Sequence, residues 1–178
     1  MKLLSPRPSA LDHDAFIAAY GGIYEESPRV AESVWPQAEA GALDSPGAMQ
    51  AAMRASVEAA DDNAKLALIR AHPDLSGRAA LAARLSRASR QEQTQAGLDA
   101  LTPAQAERFT HLNERYRDRF GFPFIIAVRG LSAEDILAQF EARLENTPER
   151  EFAAAIAEIH KIAQLRLDAM AADADDAR

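Results

Sequence analysis

The chain has 178 residues and a mass of 19.3 kDa, with 48% hydrophobic and 26% charged residues, which predicts one globular domain that needs no metal or disulfide staple. The formal net charge of -7 argues against a general binder of nucleic acid or of an anionic membrane, because such binding needs an excess of cations. The absence of cysteine excludes thiolate catalysis, iron–sulfur clusters, cysteine zinc sites and disulfides.

The two ends of the chain carry no targeting pattern. The first eight residues lack the apolar core of a secretory signal, and no apolar run approaches the roughly 20 residues that cross a bilayer. We therefore expect a cytoplasmic protein with no membrane partner. The tail after Asp173 is acidic and rich in alanine, and we expect both termini to fray around an ordered core at residues 11–170.

Helix is the favoured local structure along the whole chain, because alanine, leucine, arginine and glutamate dominate and β-branched residues are sparse. Apolar residues recur at helical spacing, as Phe109, Leu112 and Tyr116 do. Capping residues, most of them followed by proline, predict helix starts at Ser45-Pro46, Asp61/Asp62, Thr102-Pro103, Ser132 and Thr147-Pro148. We predict an all-α fold, a single compact bundle of about seven or eight helices with no sheet, over residues 1–178.

One segment, residues 122–128 (FPFIIAV), has the composition of a strand. It is short, contains proline and stands alone, so we expect a buried extended or irregular segment between helices.

His72 precedes Pro73, which disfavours helix at His72 and predicts that the preceding helix ends there. The imidazole would then lie at the negative end of the helix dipole, which favours its protonated form and suits a proton donor. A helix-terminal cap or a polar packing residue is the alternative.

Residues 89–92 (SRQE) have the spacing of a capping box, in which Ser89 caps a helix and Glu92 reaches back. Such a cap can double as a site, since the amides at a helix start bind carbonyl oxygens or anions.

Arg166 falls on the apolar face of the last predicted helix, beside Ala163 and Met170. A buried guanidinium must meet an anion or reach water. An intramolecular pair with Asp or Glu is one interpretation, and a bidentate clamp for a substrate carboxylate is the other.

Other site types have little support. No two histidines have metal-ligand spacing, so we predict no metal site, and neither a phosphate loop nor a serine hydrolase elbow is present.

Together these segments resemble the OHCU decarboxylases, the 2-oxo-4-hydroxy-4-carboxy-5-ureidoimidazoline decarboxylases. The resemblance lies in residues 72–75 (HPDL), 89–98, 120–130, 21–28 and 162–167, in that family's order and spacing, and it spans about residues 11–170. Arg29 departs from an aromatic residue usual in the family, and Arg78 and Arg129 replace the commoner lysine.

The resemblance implies a cofactor-free, all-α carboxy-lyase of urate degradation that forms (S)-allantoin and carbon dioxide. It implies His72 as the catalytic proton donor, Glu92 as the carboxylate beside it, and Arg166 as the residue that orients the substrate. The substrate-binding positions that it implies are Pro73, Ser89, Arg90, Gln91, Glu92, Gln93, Phe124, Ile125, Ile126, Ala127 and Val128.

The implied partners are a small ureidoimidazoline substrate, a second copy in a homodimer, and 5-hydroxyisourate hydrolase as a functional neighbour. Without the resemblance, the sequence is also compatible with a helical binding or regulatory module, or with an enzyme acting on another ureide such as allantoin.

Overall fold

The structure, a computed structural model, describes residues 2–75 and 85–173. Arg78 and the end of the acidic tail, residues 174–178, lie outside the described residues. The described part of the chain contains eight α-helices: α1 (His13–Tyr20), α2 (Pro28–Glu39), α3 (Pro46–Glu58), α4 (Asp62–Arg70), α5 (Arg87–Gln95), α6 (Pro103–Phe120), α7 (Ala133–Leu144) and α8 (Pro148–Ala169). The predicted all-α class and helix number are confirmed.

The helix starts follow the predicted caps. The side chains of Ser45, Thr102 and Ser132 accept hydrogen bonds from backbone amides in the first turns of α3, α6 and α7, respectively. Those of Asp61 and Thr147 do the same for α4 and α8. At α6 and α7 the reciprocal bond of a capping box is also formed.

The terminal segments add a feature that the sequence did not predict. Strand β1 (Lys2–Leu4) pairs antiparallel with β2 (Ala171–Asp173), and Leu4 is buried. Both strands extend beyond residues 11–170, where we expected the ordered core to end. The expectation of a chain without a sheet holds for the helical body, and this three-residue ladder is the exception in the described residues.

The described residues group into two compact units. The first lies within Met1–Leu68 and His160–Arg178, and the second within Ile69–Ile159. A single domain over residues 1–178 stays a prediction. No helix in the described part of the chain is long and apolar enough to span a bilayer.

In the first unit, α2 packs against α1 and α3 around apolar side chains such as Phe16 and Met53. Hydrogen bonds lead from this core to the surface: the buried Tyr24 hydroxyl is 2.8 Å from Nδ1 of the buried His160, and Nε2 of His160 is 3.1 Å from Oε1 of the exposed Glu58. The neutral ring that accepts from Tyr24 and donates to Glu58 satisfies both contacts.

In the second unit, α6 packs against α7, and the Tyr116 ring lies among the rings of Phe122, Phe124 and Phe140. The predicted apolar residues Phe109, Leu112 and Tyr116 are all buried. Apolar burial on this scale is the main favourable term in folding.

Glu151 is a carboxylate with 0% exposure inside this second core. Arg143 donates to Oε1 from Nε at 2.8 Å and also from Nη2, and the Tyr116 hydroxyl donates to the same oxygen. Nδ2 of Asn146 donates to Oε2 at 2.8 Å. Burial and the bond to Glu151 raise the pKa of Tyr116 well above its usual value, so the phenol stays a donor.

We expect the His160→Gln variant to change the pH dependence of stability. Burial lowers the pKa of His160 below its usual 6.5, although the bond to Glu58 opposes that shift. As the pH falls, His160 is therefore protonated in the unfolded chain before it is protonated in the folded one. The free energy of unfolding decreases as the pH falls below about 6.5 towards the folded-state pKa.

Urea unfolding of wild type and His160→Gln between about pH 8 and about pH 5 tests this linkage. The free-energy advantage of wild type should shrink as the pH falls, whereas His111→Gln, on the exposed face of α6, should track wild type. A difference between wild type and His160→Gln that is constant with pH contradicts the assignment.

We expect Glu151→Gln to lower the free energy of unfolding by about 3–5 kcal/mol, because it leaves the Arg143 guanidinium, whose side chain is only 12% exposed, without its counter-charge. The matched control is Glu141→Gln, which removes the exposed ion pair with Arg108 (2.8 Å) and should have a small effect. Equal losses in the two variants, measured by urea unfolding, contradict the prediction.

Candidate active site

The chain turns out of α4 at His72, as predicted. Helix α4 ends at Arg70, and the amide of His72 donates to the carbonyl of Ile69 at 3.2 Å. His72 is buried, and Pro73 after it is half-buried. The imidazole therefore lies just past the helix terminus, and its protonation remains a prediction.

The start of α5 differs from the prediction. The N-cap is Ser86, whose hydroxyl accepts from the amide of Ser89 at 3.1 Å, and the helix begins at Arg87. Ser89 is thus inside the first turn, and its predicted role as the cap is wrong. Ser86 and Ser89 both have the side chain of an N-cap residue, and the helix uses Ser86.

The burial pattern of α5 divides the predicted binding residues into two groups. Ser89 and Gln93, one turn apart, are buried on the inner face, and Glu92 is half-buried beside them. Arg90 and Gln91 have exposed side chains.

Contact between α5 and the turn after His72 brings two of the predicted stretches together. Nε2 of Gln93 donates to the carbonyl of Asp74 at 3.4 Å. The carboxylate of Asp74 also binds Arg117 of α6, and the carbonyl of Leu75 accepts from Nδ2 of Asn113 at 2.9 Å. Neither Arg117 nor Asn113 was singled out from the sequence, since nothing in the spacing along α6 distinguishes them from other surface and core positions.

The segment of residues 124–128 is neither helix nor strand, which confirms the prediction of a buried irregular segment. The side chains of Phe124, Ile125, Ile126 and Val128 are buried, and that of Ala127 is half-buried.

Two charged side chains hold the backbone of this segment. Nη1 of Arg143 donates to the carbonyl of Ile125 at 2.6 Å, and Oε2 of Glu158 accepts from the amide of Ala127 at 2.8 Å. The Arg143 guanidinium also lies 4.4 Å from the centroid of the Phe124 ring, a cation–π contact. Arg143 therefore joins the buried Glu151 to the segment.

Arg166 belongs to the first unit and is 8% exposed. Its Nη2 lies 2.8 Å from Oε2 of the buried Glu25, and its Nη1 donates to the carbonyls of Gly22 and Ile23 at 3.2 and 3.3 Å. The interpretation as an intramolecular ion pair is confirmed, and a role toward substrate stays a prediction. Glu25 lies in the stretch 21–28 that carries part of the resemblance, but the sequence did not identify it as the partner.

A group of three or more histidine, aspartate or glutamate side chains that could hold a metal ion is not found within residues 2–75 and 85–173. Of the predicted polar site residues, His72, Ser89, Glu92 and Gln93 belong to the second unit, and Arg166 belongs to the first.

Known proteins are similar to this chain over most of its length. The "2-oxo-4-hydroxy-4-carboxy-5-ureidoimidazoline decarboxylase" of Halalkalicoccus jeotgali is 41% identical over 164 residues, which cover 92% of this chain and 89% of that protein. The "Uric acid degradation bifunctional protein" of a Bacillus species is 38% identical over 152 residues, which cover 85% of this chain and 29% of that protein.

A crystal structure of (S)-allantoin synthase matches with a TM-score of 0.73 and 36% identity over 92% of this chain, which spans about half (52%) of that solved chain. The model of the OHCU decarboxylase family matches residues 9–168. The segments that carry the resemblance all lie inside this range. The chain therefore belongs to the OHCU decarboxylase family, whose named members are carboxy-lyases.

Proposed function

We propose that the chain decarboxylates 2-oxo-4-hydroxy-4-carboxy-5-ureidoimidazoline to (S)-allantoin and carbon dioxide. The observation that carries the proposal is the buried His72, set on a turn that Gln93 of α5 contacts, in a chain that matches the family over residues 9–168. The names of the similar proteins support the same reaction.

The reaction needs a proton rather than an electron sink. When the bond to the carboxylate carbon breaks, its electron pair stays on the ring carbon, where the conjugated imidazoline delocalises it. Carbon dioxide leaves, and one proton added to one face of the neighbouring, ureido-bearing ring carbon fixes the handedness of allantoin. The hydroxyl becomes the ring carbonyl as its proton passes to the ring nitrogen that took up the electron pair. The protein supplies orientation, a dry environment and that proton.

His72 in its protonated form delivers or relays the proton, and Glu92 holds the imidazole or a substrate hydroxyl. The buried side chains of Ser89 and Gln93 hydrogen-bond the ureido group and the ring amides, together with the main chain of residues 124–128. Arg90 and Gln91 have exposed side chains, so their contribution to binding is through the main chain. Pro73 shapes the turn beside the substrate.

Arg166 orients the substrate through its guanidinium. This role rests on the resemblance, and the buried pair with Glu25 supports it, because a paired guanidinium has a fixed orientation. Arginine suits a planar carboxylate or ureido group better than lysine does.

The proposal extends to the setting of the enzyme: a cytoplasmic homodimer that takes its unstable substrate from 5-hydroxyisourate hydrolase. The bifunctional Bacillus relative supports a close functional neighbour, because this chain matches only 29% of that uric acid degradation protein.

The test is an assay in which 5-hydroxyisourate is generated freshly in the presence of its hydrolase, with and without this protein, and circular dichroism is followed at the allantoin band. Faster appearance of one enantiomer supports decarboxylation. No effect on rate or handedness favours a helical binding module, and an effect only on preformed allantoin favours an enzyme acting on that ureide.

We expect His72→Asn to lower kcat by about 10²–10⁴-fold, the usual contribution of general acid–base catalysis. His111→Asn is the matched control, since His111 is exposed on α6, and it should keep wild-type turnover. A folded His72→Asn protein with full turnover and full enantiomeric excess would remove His72 from the mechanism.

We expect Arg166→Lys to raise KM by about tenfold or more, because one ammonium cannot replace the planar fork that binds two acceptors at once. Arg115→Lys, at an exposed position of α6, serves as the control. Thermal unfolding separates a binding defect from a loss of structure. A wild-type KM in a folded Arg166→Lys protein argues against the orienting role.

A further inference from the structure

We propose that Arg117 is a positioning residue for His72, acting through Asp74. This inference rests on the proposed role of His72 as proton donor. Arg117 lies on α6, 45 positions beyond His72 in the sequence, and is not among the residues that the resemblance implies for the site.

The contact between Arg117 and Asp74 is a side-on ion pair with two donor atoms. Nε of Arg117 lies 3.0 and 3.1 Å from the two carboxylate oxygens of Asp74, and Nη2 lies 2.9 Å from Oδ1. Because Nε donates to both oxygens, the contact restricts the orientation of the carboxylate as well as its distance. Arg117 therefore restricts both the position and the orientation of the Asp74 carboxylate, two residues after His72.

Two further contacts hold the same turn from its backbone. Asn113 of α6 donates to the carbonyl of Leu75, and Gln93 of α5 donates to the carbonyl of Asp74. Asn113 and Arg117 are four residues apart, so they share one face of α6. One face of α6 therefore binds both the side chain of Asp74 and the main chain of Leu75.

The turn depends on contacts from other elements because its own residues supply few restraints on its backbone. Pro73 has no amide hydrogen and fixes only its own φ, and α4 has already ended at Arg70. Residues 74 and 75 follow His72 closely along the chain, so the contacts that hold them also constrain the backbone that carries the imidazole. A misplacement of about 1 Å at a reacting group can cost about 10²-fold in rate.

The ion pair is suited to this role without being a main source of stability. The side chain of Arg117 is 50% exposed, and that of Asp74 is 15% exposed. Pairs with an exposed partner contribute little to folding. Removal of Arg117 is thus expected to move the turn while leaving the fold intact.

The first experiment compares kcat and KM of Arg117→Gln and Asp74→Asn with those of Arg108→Gln. Arg108 is the matched control, because it lies on the same helix as Arg117 and forms exposed ion pairs with Glu134 and Glu141 of α7. We expect kcat to fall about 10–100-fold in the first two variants with KM changed less than about twofold, since proton delivery and not binding is affected. Arg108→Gln should match wild type.

The double variant Asp74→Asn/Arg117→Gln should be no slower than the slower single variant, because both changes remove one interaction. Losses in kcat that multiply would assign separate roles to the two residues and overturn the proposal.

The second experiment reads the position of His72 without substrate. The Cε1–H resonance of His72 is identified by its absence in the spectrum of His72→Asn, and its chemical shift is then compared among the variants. We expect a shift in Arg117→Gln and none in Arg108→Gln. Wild-type kcat together with an unmoved resonance in folded Arg117→Gln overturns the proposal.

The two experiments separate this inference from the proposed function. If the wild-type protein fails to decarboxylate, the function is wrong, and the resonance still decides whether Arg117 positions the turn. If wild type is active and neither measurement responds to Arg117→Gln, the function stands and the positioning role is wrong.

Discussion

A negative charge without access to water constrains the second unit. The carboxylate of Glu151 is wholly buried, and a buried charge is tolerated only where donors surround it. Arg143, Asn146 and Tyr116 provide them. Arg143 in turn binds the carbonyl of Ile125, so the path of the irregular segment follows from how one carboxylate is neutralised. Packing of the helices positions the aromatic rings around Tyr116, and the hydrogen bonds around Glu151 position the backbone of residues 124–128.

The same requirement shapes the first unit. Arg166 lies on an apolar helix face because Glu25 and two carbonyls accept its hydrogens there. His160 lies in the core as a ring bonded on both sides, to Tyr24 and to Glu58. The buried carboxylates of Glu25 and Glu151 and the ring of His160 thus each have definite partners, and those partners restrict the rotamers that these side chains adopt.

Helices were predictable from the sequence because their signals are local: a capping side chain, a proline in the first turn and apolar residues at helical spacing. Ser89 shows where local signals fail, since Ser86 offers an equivalent hydroxyl one turn earlier. Candidate site residues came from the resemblance and from conflicts such as Arg166 on an apolar face. The pair of Asp74 and Arg117 spans 43 positions, and no periodicity along a single helix encodes a partner at that separation.

Asn113 carries a cost that the fold accepts. Its Oδ1 is buried with no hydrogen-bond partner among the residues that the structure describes, while its Nδ2 is bound to Leu75. An orphaned buried acceptor destabilises a protein by about 1–3 kcal/mol. An apolar side chain at this position would remove the unsatisfied oxygen, but it would also remove the hydrogen bond to the carbonyl of Leu75. A thermostabilising redesign here would therefore release one of the contacts that hold the turn after His72.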